Sequence, residues 1–113
     1  MEHPEVKRPW GGYTIFKKTS SYWVKKLFVS RNSRLSLQSH KLRTEVWVVL
    51  EGSIIARVGN KEHKGKKGDF FVVLPKQKHR ITGIENACIL EIAFGLVLER
   101  DITRYEDDYG RVH

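Results

Sequence analysis

Along most of the chain apolar residues fall at every second position or in short unbroken runs, and turn residues interrupt them at roughly ten-residue intervals. Spacing of this kind belongs to strands, and nowhere is a helical period sustained. The pattern predicts strands at Gly12 to Lys17, Tyr22 to Val29, Arg34 to Ser39, Glu45 to Glu51, Ser53 to Val58, Lys61 to Lys64, Asp69 to Leu74, His79 to Gly83 and Ala87 to Gly95. Turn chemistry separates them at Arg31-Asn32-Ser33, Glu51-Gly52, Gly59-Asn60, Lys67-Gly68-Asp69, Pro75 to Lys78 and Glu85-Asn86, with Gly59-Asn60 a two-residue hairpin signal.

Several of these strands are apolar on both faces. Val46, Val48 and Leu50 alternate with Trp47 and Val49, and Phe70 to Leu74 does not alternate at all. Both faces must be covered, which predicts an all-β sandwich or closed barrel with one face available for a homodimer interface. The polar ends, Met1 to Lys7 and Asp101 to His113, are expected to order only by docking on that barrel.

Four polar residues break the apolar pattern. Gln38 and His40 share a strand face, the polar break Lys41 to Thr44 lets the chain reverse before Glu45, and His79 opens a strand after the Pro75 turn. An amide oxygen, two imidazoles and a carboxylate form a donor set suited to Zn, Mn, Fe, Co or Ni. Spacing alone leaves a second reading open, in which each histidine is a satisfied core or surface residue. His3, His63 and His113 lie in terminal or turn contexts and read as surface residues.

Composition narrows the choice. The 113 residues suffice for one domain, residues 1–113, and the single Cys88 cannot form an internal disulfide. With no apolar leader or membrane-length run, a cytoplasmic location is expected. The excess of 21 Lys and Arg over 13 Asp and Glu gives +8. Lys17-Lys18, Lys25-Lys26 and Lys64 to Lys67 read as solvated faces, and no zinc-finger, RNP-like or helix-turn-helix pattern accompanies them. Charge alone admits nucleic acid, an anionic membrane surface or a phosphorylated small molecule and does not choose among them, while no nucleic acid and no membrane is expected as partner.

The order Gln38-x-His40, Arg43-x-Glu45, Trp47, Val49, Gly52, then Pro75 and His79-Arg80, resembles the two motifs of the cupin superfamily. More narrowly, the chain resembles the cupin domain of type II mannose-6-phosphate isomerases, often found behind a mannose-1-phosphate guanylyltransferase domain. Arg8-Pro9-Trp10-Gly11-Gly12-Tyr13 matches that family's opening, and Asp101-Ile102 with Arg104 to Arg111 matches its ending, so the likeness covers residues 8 to 111. It implies a cupin, a jelly-roll-like double-stranded β-helix barrel, with metal ligands Gln38, His40, Glu45 and His79. Gln38 occupies the first cupin histidine slot, as it does in the family. Lys41, Leu42 and Val46 stand where relatives carry other residues beside the ligands. Ala93 replaces a glutamine, and Leu96-Val97-Leu98 replaces a tyrosine-containing piece, which matters if that segment lines the sugar pocket.

The implied activity is metal-dependent interconversion of mannose 6-phosphate and fructose 6-phosphate. Such chemistry needs a Lewis acid, a base that moves a proton between C1 and C2, and a cationic seat for phosphate. Arg43, Arg80 and Lys78 adjoin the ligands and either grip phosphate, steady the oxyanion or lie on the surface. Glu91 is either the base or a structural ion-pair partner. Trp10 and Tyr13 are either an aromatic wall for the sugar or core packing, and Asp107, Asp108 and Tyr109 either close over the pocket or dock the tail. No Gly-rich phosphate loop is present, so nucleotide-sugar synthesis by these residues is not expected. Two other classes stay open: a metal- and sugar-binding module without turnover, and another cupin enzyme such as a different sugar-phosphate isomerase, a metal-free epimerase or a dioxygenase.

Overall fold

The computed structural model describes residues 3–111, so the expectation for His113 lies outside it. Eleven strands run β1 (Glu5–Arg8), β2 (Gly11–Lys18), β3 (Tyr22–Val29), β4 (Leu37–Ser39), β5 (Arg43–Glu51), β6 (Ser53–Val58), β7 (Lys61–Lys66), β8 (Phe70–Val73), β9 (His79–Gly83), β10 (Ala87–Gly95) and β11 (Thr103–Glu106). They form two antiparallel sheets, ordered β1-β2-β3-β10-β5-β8 and β11-β4-β9-β6-β7. The all-β barrel expected of a cupin is the fold observed. No helix among the described residues is long and apolar enough to cross a membrane.

Alternation explains the layering. In β5 the inward residues Glu45, Trp47 and Val49 are buried, while Val46 and Val48 face outward beside Val72 and Phe70 of β8 and Ile92 and Leu90 of β10. Trp47 and Val49 join Trp10, Leu27, Val29, Ile54, Ala56, Ile81 and Ile89 between the sheets. That core fills one part of the barrel, and polar side chains line the rest.

The nine predicted strands are present with adjusted ends. Gly59-Asn60 closes the β6–β7 hairpin, Val58 opposite Lys61, with Gly59 at φ 62°. The run from Arg34 shortens to Leu37–Ser39, because Arg34 makes only an isolated bridge to Thr82. β5 starts at Arg43, so the chain turns before the polar break ends, and it crosses from one sheet to the other instead of closing a hairpin. The polar ends dock by strand pairing: β1 on β2, β11 on β4. Both are edge strands, where charged side chains are tolerated because one side of the ladder faces water.

Candidate active site

Segments on both sheets bring three donors together. His40 follows β4, Glu45 is in β5 and His79 opens β9. All three are buried, and one donor atom of each lies within 4.8 Å of the others. His40 Nε2 is 3.2 Å from Glu45 Oε2, and His79 Nε2 is 3.8 Å from Glu45 Oε1. The turn before β9 holds this register: Leu74 N–H donates to Gln77 Oε1, and Lys76, at φ 71°, donates its N–H to His40 O at 2.6 Å.

Backbone carbonyls fix both imidazoles. His40 Nδ1 donates to Asp101 O at 2.7 Å, and His79 Nδ1 donates to Gln77 O at 2.9 Å. A carbonyl only accepts, so each Nδ1 carries the proton and each Nε2 lone pair is turned towards Glu45, as in metal-binding histidines. Asp101 also accepts the N–H groups of Lys41 and Leu42 with its carboxylate, tying the tail to the loop after β4. Among the described residues His79 Nε2 has no hydrogen-bond partner. A buried polar atom left so costs about 1–3 kcal/mol.

Burial pushes the His79 imidazole down to about 4, against the pull of Glu45. Burial alone would raise Glu45. The neighbouring His40, His79 and Arg43 outweigh it and hold this carboxyl well below the ordinary range. A neutral imidazole with an unspent lone pair beside a carboxylate anion fits a divalent cation.

Arg43 shares these donor atoms. Its Nε donates to Glu45 Oε2 at 2.9 Å, a terminal nitrogen donates to His40 Nε2 at 3.1 Å, and the guanidinium lies 4.4 Å from the Trp23 ring centre. An ion held by the same atoms would take over part of this bonding.

Beside the donors lies a cavity of about 280 Å³. Gln38 lines it from β4, where it is registered against His79 on one side and Arg104 on the other. Glu91 lines it from β10 and accepts Trp23 Nε1–H on Oε2 at 3.0 Å. Burial, and then the nearby Glu45, push the Glu91 carboxyl up to about 7. Arg8, Lys25, Arg43, Arg104 and Arg111 give the lining five cations against the carboxylates Glu45, Glu91 and Glu99, so the cavity suits an anion.

The other expected residues divide. Trp10 is buried in the core and also reaches the cavity, and half-buried Tyr13 lines it with Arg8 on its hydroxyl. Arg80 and Lys78 are placed elsewhere, which corrects the expectation drawn from their adjacency to His79. Alternation turns Arg80 to the opposite face, where it donates to Leu35 O and Glu106; Lys78 is exposed over the Tyr105 ring at 4.3 Å. Asp108 pairs with Arg34 and so docks the tail, while Asp107 pairs with Arg111 within it. Ala93 and Val97 pack on Trp23, and the segment Ala93 to Leu98 does not line the cavity.

Sequence reasoning missed Lys25, Arg8, Asp101, Arg104 and Arg111. For Lys25 a signal existed: it stands between Trp23 and Leu27 at the inward parity of β3, yet its charge led to a solvated reading. Arg8, Asp101, Arg104 and Arg111 were visible only as parts of terminal motifs.

A two-sheet antiparallel barrel with a His, Glu and His set inside defines a cupin. Solved structures agree on the fold: Pac13, a nucleoside dehydratase from Streptomyces, superposes with a TM-score of 0.81 at 13% identity, covering 94% of this chain and 87% of that one. KdgF from Halomonas gives 0.76 at 15% identity over 87% and 90%. The chain belongs to the mannose-6-phosphate isomerase C-terminal family, whose model matches residues 1–107. It is 35% identical to the alginate biosynthesis protein AlgA of Pseudomonas aeruginosa over 98% of its length, and 34% identical to the mannose-1-phosphate guanylyltransferase ManC of Salmonella typhimurium over 97%. It spans only 24% of the length of either relative.

Proposed function

We propose that these residues form a single cytoplasmic cupin domain that interconverts mannose 6-phosphate and fructose 6-phosphate with a divalent metal ion. The observation that carries this reading is a cavity lined by His40, Glu45, a buried Glu91 and a cationic wall, with His79 completing the donor set beside His40 and Glu45. Gln38, His40, Glu45 and His79 would hold the ion, which supplies Lewis acidity towards the sugar's carbonyl oxygen.

The chain's own residues do the rest. Glu91, raised to about 7 and oriented by Trp23, takes the proton at C2 and returns it to C1. Arg8, Arg104 and Arg111, in place of Lys78 and Arg80, seat the phosphate. Arg43 steadies Glu45 and His40, and Trp10 and Tyr13 wall the sugar ring. Arg80 braces β11 through Glu106. A second copy of the chain covers the outward apolar face built by Val46, Val48, Phe70 and Val72, giving a homodimer whose mass is measurable by light scattering.

A coupled assay with mannose 6-phosphate, run with added metal and with chelator, tests the reading. Turnover that chelation abolishes supports it. Tight metal binding without turnover replaces the enzyme by a metal- and sugar-binding module.

A further inference from the structure

On the inner face of β3, Trp23, Leu27 and Val29 are buried, and Lys25 occupies the same parity. Burial lowers its pKa, with Glu91 pulling the other way. An aliphatic residue would complete that face without a desolvation cost. The ammonium lies 3.6 Å from the Trp23 ring centre and 4.9 Å from that of Tyr13. Among the described residues it makes no hydrogen bond or ion pair, so its N–H groups are unspent. Its partner in the ladder is Glu91. One indole therefore sets both groups: the ring carries the Lys25 ammonium and its N–H holds Glu91 Oε2.

We propose that Lys25 contacts the substrate, donating hydrogen bonds to the sugar oxygen that becomes negative when Glu91 takes the neighbouring carbon-bound proton. This rests on the isomerase reading. The C2–H bond breaks and its proton passes to the Glu91 carboxylate. The C–H electron pair forms the C1=C2 bond, and the carbonyl π pair moves to O1, which accepts N–H from Lys25. After the hydroxyl proton moves from O2 to O1, the negative O2 re-forms a carbonyl at C2 and Glu91 returns its proton to C1. Lys25 ends as it began. A fixed donor aimed at developing charge in a site shielded from water acts on the transition state more than on the bound sugar.

The experiment compares wild type, Lys25→Met and Lys25→Arg as metal-loaded protein. It reads kcat, KM, metal content, melting temperature, and affinity for a five-carbon sugar phosphate hydroxamate, a planar analogue with negative charge where O1 would sit. Lys25→Met should lose about a hundredfold in kcat and a similar factor in analogue affinity, with KM within about threefold. Metal content should hold, the melting temperature should not fall, and Lys25→Arg should recover part of the loss. Wild-type kcat and analogue affinity in Lys25→Met, with wild-type turnover intact, overturn the role of Lys25 and leave the isomerase standing. Loss of metal or of folding in Lys25→Met overturns it too, by showing a structural role. If the wild type does not turn over, the isomerase reading falls; Lys25-dependent binding of the analogue then still upholds the contact, and Lys25-independent or absent binding overturns it.

Discussion

Nε2 of His79 faces Oε1 of Glu45 from 3.8 Å, and no hydrogen bond reaches that nitrogen among the described residues. The proton on Nδ1 is committed to Gln77 O, so the lone pair is held towards the carboxylate. His79→Ala removes one donor from the set. Metal affinity should fall by about a hundredfold or more, and turnover with it, while the fold persists. Competition with a chromophoric chelator measures this, and unchanged affinity would remove His79 from the ligand set.

Arg43 lays its guanidinium against two of the donor atoms, Glu45 Oε2 and His40 Nε2. Its guanidinium bonds both Glu45 and His40, so Arg43→Met leaves a buried carboxylate without its counter-charge. Chelated Arg43→Met should be about 3–5 kcal/mol less stable than chelated wild type. Saturating metal should recover much of that difference, because in the variant the ion supplies the missing counter-charge and competes with no guanidinium for the donors, so it binds the variant more tightly than wild type. Urea denaturation with and without metal tests both halves; a loss that metal does not touch would separate Arg43 from the donor set.

Much of this arrangement is legible in the chain. The apolar run in Glu45 to Glu51 and the Gly59-Asn60 turn predict their strands, because a β-rich run bounded by turn residues and a two-residue loop are local signals. The donors are legible for the same reason: an imidazole or carboxylate at an inward parity needs a reason to be there. What adjacency suggested failed at Arg80, where one step along β9 reverses the face. Lys25 shows the converse, since parity would have placed it inside and charge argued it outside. β1 (Glu-Val-Lys-Arg) and β11 (Thr-Arg-Tyr-Glu) carry no apolar stripe, and only pairing with distant β2 and β4 makes them strands.

Gly52 provides a test of the backbone that turns β5 into β6. At φ 75° it holds a left-handed conformation, and a Cβ there would meet Asn86 O at 2.2 Å and Ala87 Cα at 2.9 Å. Gly52→Ala should cost roughly 2 kcal/mol or more. Gly68 is the control: its φ is 93°, but a Cβ meets nothing within 4 Å, so Gly68→Ala carries only the conformational cost of about 1–2 kcal/mol. Equal losses in the two variants would contradict the close approach at Gly52.

Glu91→Gln separates proton transfer from shape. The amide keeps the size of the side chain and an oxygen for Trp23 Nε1–H, so metal should stay bound while turnover drops about 10²- to 10⁴-fold. Full activity would move the base elsewhere. The same variant reports on burial. The folded carboxyl is raised from 4.5 to about 7, so folding favours its protonated form. Below pH 4.5 both states are protonated and the carboxyl costs nothing. As pH rises towards 7 the unfolded chain ionises first and stability is lost, and above 7 the penalty is constant. Chelated Glu91→Gln should therefore exceed chelated wild type in stability by up to about 3 kcal/mol at pH 8. That advantage should shrink through pH 7 to 4.5 and vanish below; denaturation curves across that range that stay parallel would mean Glu91 ionises in the fold as it does in water.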